Sequence, residues 1–148
     1  MTSSESRDAG AEAGEHFRQG LYCAESVLLA IAHHLDIESD LLPAVATGFC
    51  GGTSRTGGVM GLGLAFGRNA AGEAVDQAYR ATQALLDRFT AEFGSTNCGA
   101  LLGCDLGTPE GRAEFNARGL HERCLRFTVR ATELCVELME PPPANPKP

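Results

Sequence analysis

The sequence predicts an all-α protein, a compact bundle of about five to seven helices in a single domain. Apolar residues recur at spacings of three and four in several segments, and no strand-like alternation of useful length occurs. Aromatic residues make up only 6% and Trp is absent, so the core must consist largely of Leu, Ala, Val and Cys. With 43% hydrophobic residues in 148, the chain can bury one such core.

The first two elements flank a glycine. Residues 1–8 are expected to be a flexible lead, and residues 9–19 a weak helix that ends near Gly20. A strong helix follows over 23–35. Its apolar residues recur with helical spacing at Ala24, Val27, Leu28, Ile31 and Leu35.

Two further helices are predicted on either side of a glycine-rich segment. Ser39 or Asp40 can cap a helix over residues 41–50, which has a proline in its first turn. The segment GGTSRTGG, 51–58, is predicted to be a loop. The next residues, 59–67, predict a short helix of small side chains that can pack closely against a neighbour.

Residues 73–93 form the clearest amphipathic helix, ending at Gly94. Its predicted buried face carries Val75, Ala78, Tyr79, Thr82, Leu86, Phe89 and Phe93.

The C-terminal part predicts one or two helical turns over 98–102 and a helix from Pro109 to about Arg118. The last helix spans 120–140, and the proline-rich tail 141–148 is expected to be disordered. The buried stripe of that helix carries Cys124, Phe127, Ala131, Leu134, Cys135 and Leu138. The helical domain is therefore predicted to span 9–140.

Charge and the N-terminus limit the classes of function. The net charge is −7 with no Lys/Arg cluster, which argues against binding to nucleic acid. The N-terminus, MTSSESRDAGAEAGE, lacks the features of a signal peptide, and no apolar run reaches the length of a membrane span. We therefore expect a cytoplasmic protein without membrane association, whose six cysteines stay reduced.

The positions of four cysteines make them candidates for chemistry. Cys23 and Cys98 each open a predicted helix, where unpaired N–H groups are expected to stabilise a thiolate. Cys50 lies at a predicted helix C-terminus, where the field has the opposite sign. Cys124 lies near the start of the last helix, three residues after His121, which could share its face.

The other two cysteines are weaker candidates. Cys135 follows Cys124 by eleven residues, roughly 16 Å along a helix. Two thiolates on one metal lie within about 4 Å, so at most one of this pair can join a given site. Cys135 is better explained as part of the core. Cys104 can approach Cys98 only if Gly103 breaks the intervening helix, which the sequence leaves open.

Four blocks in order carry a family resemblance: YCAESVLLAIA (22–32), GFCGG (48–52), FGSTNCGALLGCDLGTPEG (93–111) and HERCLRF (121–127). Together they resemble the family of suspected redox-active proteins named for its C_GCAxxG_C_C cysteine pattern. The resemblance runs from about residue 16 to residue 140. It implies a small, helical, cytosolic protein with redox or metal chemistry, and it implies no substrate.

The resemblance assigns the first, third and fourth family cysteines to Cys23, Cys98 and Cys124. The middle motif departs from the family pattern of a Gly-Cys-Gly/Ala core, two variable residues and Gly. Here the chain has CGGTSRTGGVMGLGLAFG from residue 50. Cys50 is either the remnant of that motif or part of a neighbouring upstream element.

Three functions follow from these residues. The first is a metal or iron–sulfur site in which Cys23, Cys50, Cys98 and Cys124 converge, because soft thiolates select zinc or iron–sulfur clusters. The second is a thiol–disulfide redox protein in which Cys98 attacks and another cysteine resolves. The third is a helical scaffold or interaction protein with structural cysteines and a degenerate site. Whether the protein is an enzyme stays open.

The expected partner is a redox or electron-transfer protein, and the small-residue segment 57–67 could also pair with a second copy of the chain. Of the remaining residues, His33 and His34 are expected to be exposed. Arg55 is expected to be a solvated loop arginine. GGTSRTGG lacks the Lys-Ser/Thr ending of a phosphate-binding loop.

Overall fold

The computed structural model describes residues 3–50 and 56–140, and this part of the chain has eight helices and no strand. The all-α prediction is confirmed, and the short α3 and α6 bring the number above the five to seven expected. Within the described residues, no helix is long and apolar enough to cross a membrane. The helices are α1 Ser4–Arg18, α2 Cys23–His34, α3 Leu42–Thr47, α4 Thr56–Phe66, α5 Asp76–Phe93, α6 Cys98–Leu102, α7 Pro109–Ala117 and α8 His121–Met139.

The first helix begins earlier than predicted. Helix α1 starts at Ser4, so the flexible lead expected over 1–8 is wrong from that residue onward. Ser3 caps the helix, since its Oγ accepts a hydrogen bond of 3.1 Å from the backbone N–H of Ser6. The buried face of α1 packs against α8 and α2, which stabilises a segment whose small, polar residues gave little helical signal.

The predicted elements around the glycine-rich segment shift by several residues. Helix α3 ends at Thr47, before Cys50, and it begins without a side-chain cap from Ser39 or Asp40. Helix α4 begins at Thr56, so the last three residues of the predicted loop 51–58 are helical. The rest of that loop lies outside the described residues.

Helices α2 and α4 approach each other closely through glycine. A Cβ at Gly57 would lie 2.8 Å from the carbonyl oxygen of Ala24, and one at Gly61 would lie 2.4 Å from Cδ1 of Ile31. A larger residue at either position would force the helices apart. The prediction that this small-residue segment packs against a neighbouring helix is thus confirmed.

The main core lies where α2, α4, α5 and α8 meet. Helix α5 buries Leu85 and Phe89 there, while Tyr79, predicted to be buried, is 69% exposed. Tyr79 is about 120° around the helix from Leu85, because each residue turns the helix by about 100°. The other buried members of this core are Val27, Ile31, Leu62, Ala131, Leu134 and Cys135.

Candidate thiol site

A pocket of about 330 Å³ opens between the end of α1, the first turns of α2 and α8, and the α6–α7 segment. All four cysteines predicted to converge line it. They come from chain segments as much as a hundred residues apart, so the tertiary fold alone brings them together. The lining residues are Phe17, Tyr22, Cys23, Cys50, Cys98, Leu106, Arg112, Phe115, Asn116, His121 and Cys124.

Two of these cysteines open helices, as predicted. Cys23 is the first residue of α2 and is partly buried, and Cys98 is the first residue of α6 and is 6% exposed. Asn97 positions Cys98, because its Oδ1 caps α6 by accepting a 3.1 Å hydrogen bond from the N–H of Ala100. Gly103, with φ of 72°, ends α6 after five residues.

Cys50 reaches the site from the turn that follows α3. Its Sγ lies 3.3 Å from Oε1 of Glu25 and 3.4 Å from the carbonyl oxygen of Ala46, so its single S–H can donate to either acceptor. The backbone N–H groups of Ala24 and Glu25 also interact with the Cys50 thiol. Cys50 was predicted to lie at the C-terminus of a helix, where the helix dipole disfavours a thiolate. Its thiol instead lies against the N-terminal turn of α2.

Cys124 and His121 enter the pocket from the first turn of α8, as their spacing predicted. The ring of His121 meets the ring of Phe115 edge to face, with centroids 4.6 Å apart. Cys124 also packs against the small cluster around Leu102, Cys104 and Leu120.

The environment of the thiols disfavours their ionised form. Burial raises the pKa of Cys23 to about 12, and interaction with Cys98, Cys50 and Cys124 adds to the rise. Burial, followed by interaction with Cys98 and Cys104, raises the pKa of Cys124 to about 12. Burial is the larger cause at both positions, and the neighbouring thiols add to it.

Cys50 has the smallest of these shifts. Burial and the Glu25 carboxylate raise the pKa of its thiol to about 11, although the N–H groups of Glu25 and Ala24 oppose the rise. The N–H of Ala24 likewise lowers the pKa of Cys23 without offsetting burial. The expectation that a helix N-terminus would stabilise the thiolate at Cys23 is therefore wrong, because burial raises the pKa by more than the N–H of Ala24, at the start of α2, lowers it.

The remaining cysteines lie outside the pocket lining. Cys135 is fully buried in the main core, where its Sγ donates to the carbonyl oxygen of Gly58 at 3.6 Å, in agreement with its predicted core role. Cys104 is 7% exposed and packs with Leu102 and Leu120. Gly103 does break the helix before it, and the turn carries Cys104 into this cluster rather than into the pocket.

Helix α7 supplies one wall of the pocket, which the sequence did not reveal. Thr108 caps this helix by accepting a 3.0 Å hydrogen bond from the N–H of Gly111. Gly111 is needed there, since a Cβ would lie 1.7 Å from the carbonyl oxygen of Asp105. The helix then presents Arg112, Phe115 and Asn116 to the pocket, and their spacing of three and four was the available signal.

Glu25 is a second contact of the candidate thiol site that sequence reasoning missed. It is 6% exposed and accepts the hydrogen bond from the Cys50 thiol. An acidic residue in the first turn of a helix is so common that nothing in the sequence marked it. Only the packing of the Cys50 turn against α2 gives Glu25 a thiol partner.

The other polar residues considered from the sequence do not line the thiol pocket or lie outside the described residues. The side chain of His33 is 75% exposed as expected, and it contacts the Glu12 carboxylate at 2.8 Å. Arg55 lies outside the described residues. Across residues 3–50 and 56–140, no group of three or more His, Cys, Asp or Glu side chains is arranged to hold a metal ion.

Comparison with known proteins agrees with the resemblance noted from the sequence. The family model described as "Putative redox-active protein (C_GCAxxG_C_C)" matches residues 21–138. That range contains every cysteine of the chain, helices α2 to α7 and all of α8 except its last residue. No curated protein and no solved structure gives a significant match.

Proposed function

Because the chain belongs to the C_GCAxxG_C_C family, whose printed description is "Putative redox-active protein", we propose that its pocket carries out reversible thiol–disulfide exchange, with Cys23 and Cys98 as the exchanging pair. The observation that carries the proposal is the convergence of four thiols on one partly open pocket. Two thiols close together in a fold can exchange electrons in pairs with an external disulfide.

The burial of the four pocket cysteines and the interactions between their thiols indicate which two form the exchanging pair. Cys23 and Cys98 line the same pocket, and interaction with Cys98 adds to the raised pKa of Cys23. Cys23 is partly exposed at the pocket, whereas Cys98 is only 6% exposed. We therefore assign the attack on an external disulfide to Cys23 and the resolving step to Cys98, reversing the attacking role that the sequence suggested for Cys98.

The reaction uses two successive displacements. The Cys23 thiolate attacks one sulfur of the external disulfide, which releases one thiolate and leaves a mixed disulfide on Cys23. The Cys98 thiolate then attacks the Cys23 sulfur and releases the second thiolate, and the two released thiolates take up the two protons that Cys23 and Cys98 lose. The protein gains a Cys23–Cys98 disulfide, loses two protons and transfers two electrons to the external disulfide.

Peptide mapping of the oxidised protein tests this proposal. After mild oxidation by a disulfide, we expect a linked pair of peptides containing Cys23 and Cys98. Cys23→Ser should abolish this link, and Cys135→Ala, in the core, should retain it. A folded protein that gives no linked peptides, or only linkages that survive Cys23→Ser, would rule the assignment out.

A bound metal or iron–sulfur cluster is the alternative use of the same sulfurs. The four thiols are the correct donor type for zinc or such a cluster. Among the described residues, no group of three or more His, Cys, Asp or Glu side chains is arranged to hold a metal ion, and the exchange reaction proposed above needs no metal. Stoichiometric zinc or iron in anaerobically purified protein, lost in Cys98→Ser, would favour the alternative.

A further inference from the structure

Building on the proposed exchange reaction, we propose that the pocket binds a small dithiol or disulfide carried on an aliphatic chain that ends in a carboxylate. The thiols would react at the inner part of the pocket while the chain lies along its walls and the carboxylate reaches Arg112. Composition, charge and size of the pocket each favour such a ligand over a polar peptide thiol.

The walls are largely aromatic and aliphatic. Phe17 and Tyr22 contribute from the α1–α2 segment, and Leu106 and Phe115 contribute from the α6–α7 segment. Among the described residues, no acidic side chain lines the pocket. An aliphatic chain gains by leaving water for such a surface, whereas the peptide and ammonium groups of a polar thiol would lose hydrogen bonds to water.

Arg112 gives the pocket a place for one negative charge. Its Nη1 donates to the carbonyl oxygen of Leu106 at 3.0 Å, which fixes the guanidinium beside the wall formed by Phe115. A guanidinium is suited to hold a carboxylate through two parallel hydrogen bonds. Because the chain carries a net charge of −7, a ligand with several negative charges would be repelled by the rest of the surface.

The volume of the pocket sets a further limit. At about 330 Å³ it lies near the lower end of the range for small-molecule sites. It therefore suits a compact ligand whose two sulfurs are close together on one chain, better than two peptides joined by a disulfide.

A dithiol of this type would reduce the oxidised pocket in a balanced reaction. One ligand thiolate attacks the Cys23 sulfur, breaks the Cys23–Cys98 bond and releases Cys98 as a thiol. The second ligand thiolate then attacks the ligand sulfur of the mixed disulfide and releases Cys23. The ligand leaves as a cyclic disulfide, having given two electrons to the protein.

Reduction rates of the oxidised protein test the proposal with three probes: dihydrolipoate, its neutral amide and glutathione. Each rate is divided by the rate at which the same thiol reduces a simple disulfide in solution, which removes intrinsic reactivity. We expect the normalised rate of dihydrolipoate to exceed that of glutathione by about tenfold or more and that of the amide several-fold.

Matched arginine variants separate the carboxylate contact from general charge. Arg112→Gln should remove the preference for dihydrolipoate over its amide, while Arg123→Gln, in the first turn of α8 but outside the pocket lining, should preserve it. Equal or faster normalised reduction by glutathione, or an unchanged preference in Arg112→Gln, would overturn this ligand assignment. If no Cys23–Cys98 disulfide forms with any oxidant, the proposed function itself fails.

Discussion

Two cysteines on one helix show how strongly the fold decides the use of a thiol. Cys124 and Cys135 both lie on α8, but Cys135 is fully enclosed by the main core and Cys124 faces a pocket shared with three other cysteines. Burial alone raises the pKa of Cys135, whereas neighbouring thiols contribute to the raised pKa of Cys124. The core thiol fills space, whereas Cys124 lines a pocket together with other thiols.

The largest expected difference between the pocket and the core is in the rate at which their cysteines are alkylated. In the folded, reduced protein, we expect iodoacetamide to label Cys50 and Cys124 at least about 100-fold faster than Cys135, which becomes accessible only when the structure opens. Mass spectrometry of peptides after timed labelling measures each rate. Labelling of Cys135 at the rate of the pocket thiols would remove the distinction between the two regions.

The pH dependence of alkylation sharpens the comparison within the pocket. Since the pKa of Cys50 is raised to about 11 and those of Cys23 and Cys124 to about 12, thiolates are a small minority at neutral pH. The labelling rate of each should rise about tenfold per pH unit between pH 7 and pH 10. A plateau below pH 9 would show that a pocket thiolate is stabilised rather than destabilised.

Substitutions on α4, in the core region, should change the free energy of unfolding and leave the reactions of the pocket thiols unchanged. Gly61→Ala should cost about 2 kcal/mol of unfolding free energy, because its Cβ would collide with Ile31. Gly63→Ala on the same helix has open space around its Cβ and should stabilise by about 0.5 kcal/mol through helix propensity. Urea unfolding measures both, and equal effects would contradict the close packing of α2 on α4.

An effect as small as that of Gly63→Ala is expected from an ion pair whose residues do not line the pocket. Arg130 contacts the Glu92 carboxylate at 2.6 Å and lowers the pKa of Glu92 below its usual range. Glu92→Gln should cost about 0.5 kcal/mol at pH 7, since the pair is partly exposed. A carboxylate whose pKa is lower in the folded than in the unfolded protein stabilises the fold at pH values above the unfolded pKa. The difference in free energy of unfolding between Glu92→Gln and wild type should therefore vanish as the pH falls through the pKa of the folded protein.

Urea unfolding at pH 7 and at pH 3 follows that difference, with thiol oxidation measured on the same samples. A cost that stays constant over this range would show that Glu92 acts through packing rather than charge. A change in the rate of Cys23–Cys98 oxidation would show that the two regions are coupled.

Much of the fold was predictable because its signals are local. Periodic apolar residues and terminal glycines marked α2 and the end of α5, and a proline marked the start of α7. The start of α1 was missed because Ser4 to Asp8 are helical through the Ser3 cap and contact with other helices.

The site was predictable in its cysteines and not in its environment. The order of the cysteine motifs indicated Cys23, Cys98 and Cys124 as family positions and left the place of Cys50 open, and all four line one pocket. The direction of the pKa shift at Cys23 depends on burial by distant segments, and no local pattern encodes that. For the same reason the sequence did not reveal that α7 forms a wall of the pocket.

The number of free thiols as a function of redox potential tests the central claim most directly. In buffers of reduced and oxidised dithiothreitol, the account predicts that two of the six thiols disappear together in one two-electron step, with about 30 mV per tenfold change in the ratio of states. The same titration of Cys98→Ser should show no such step. Six thiols that all remain reduced, or that oxidise independently without a paired step, would contradict the account.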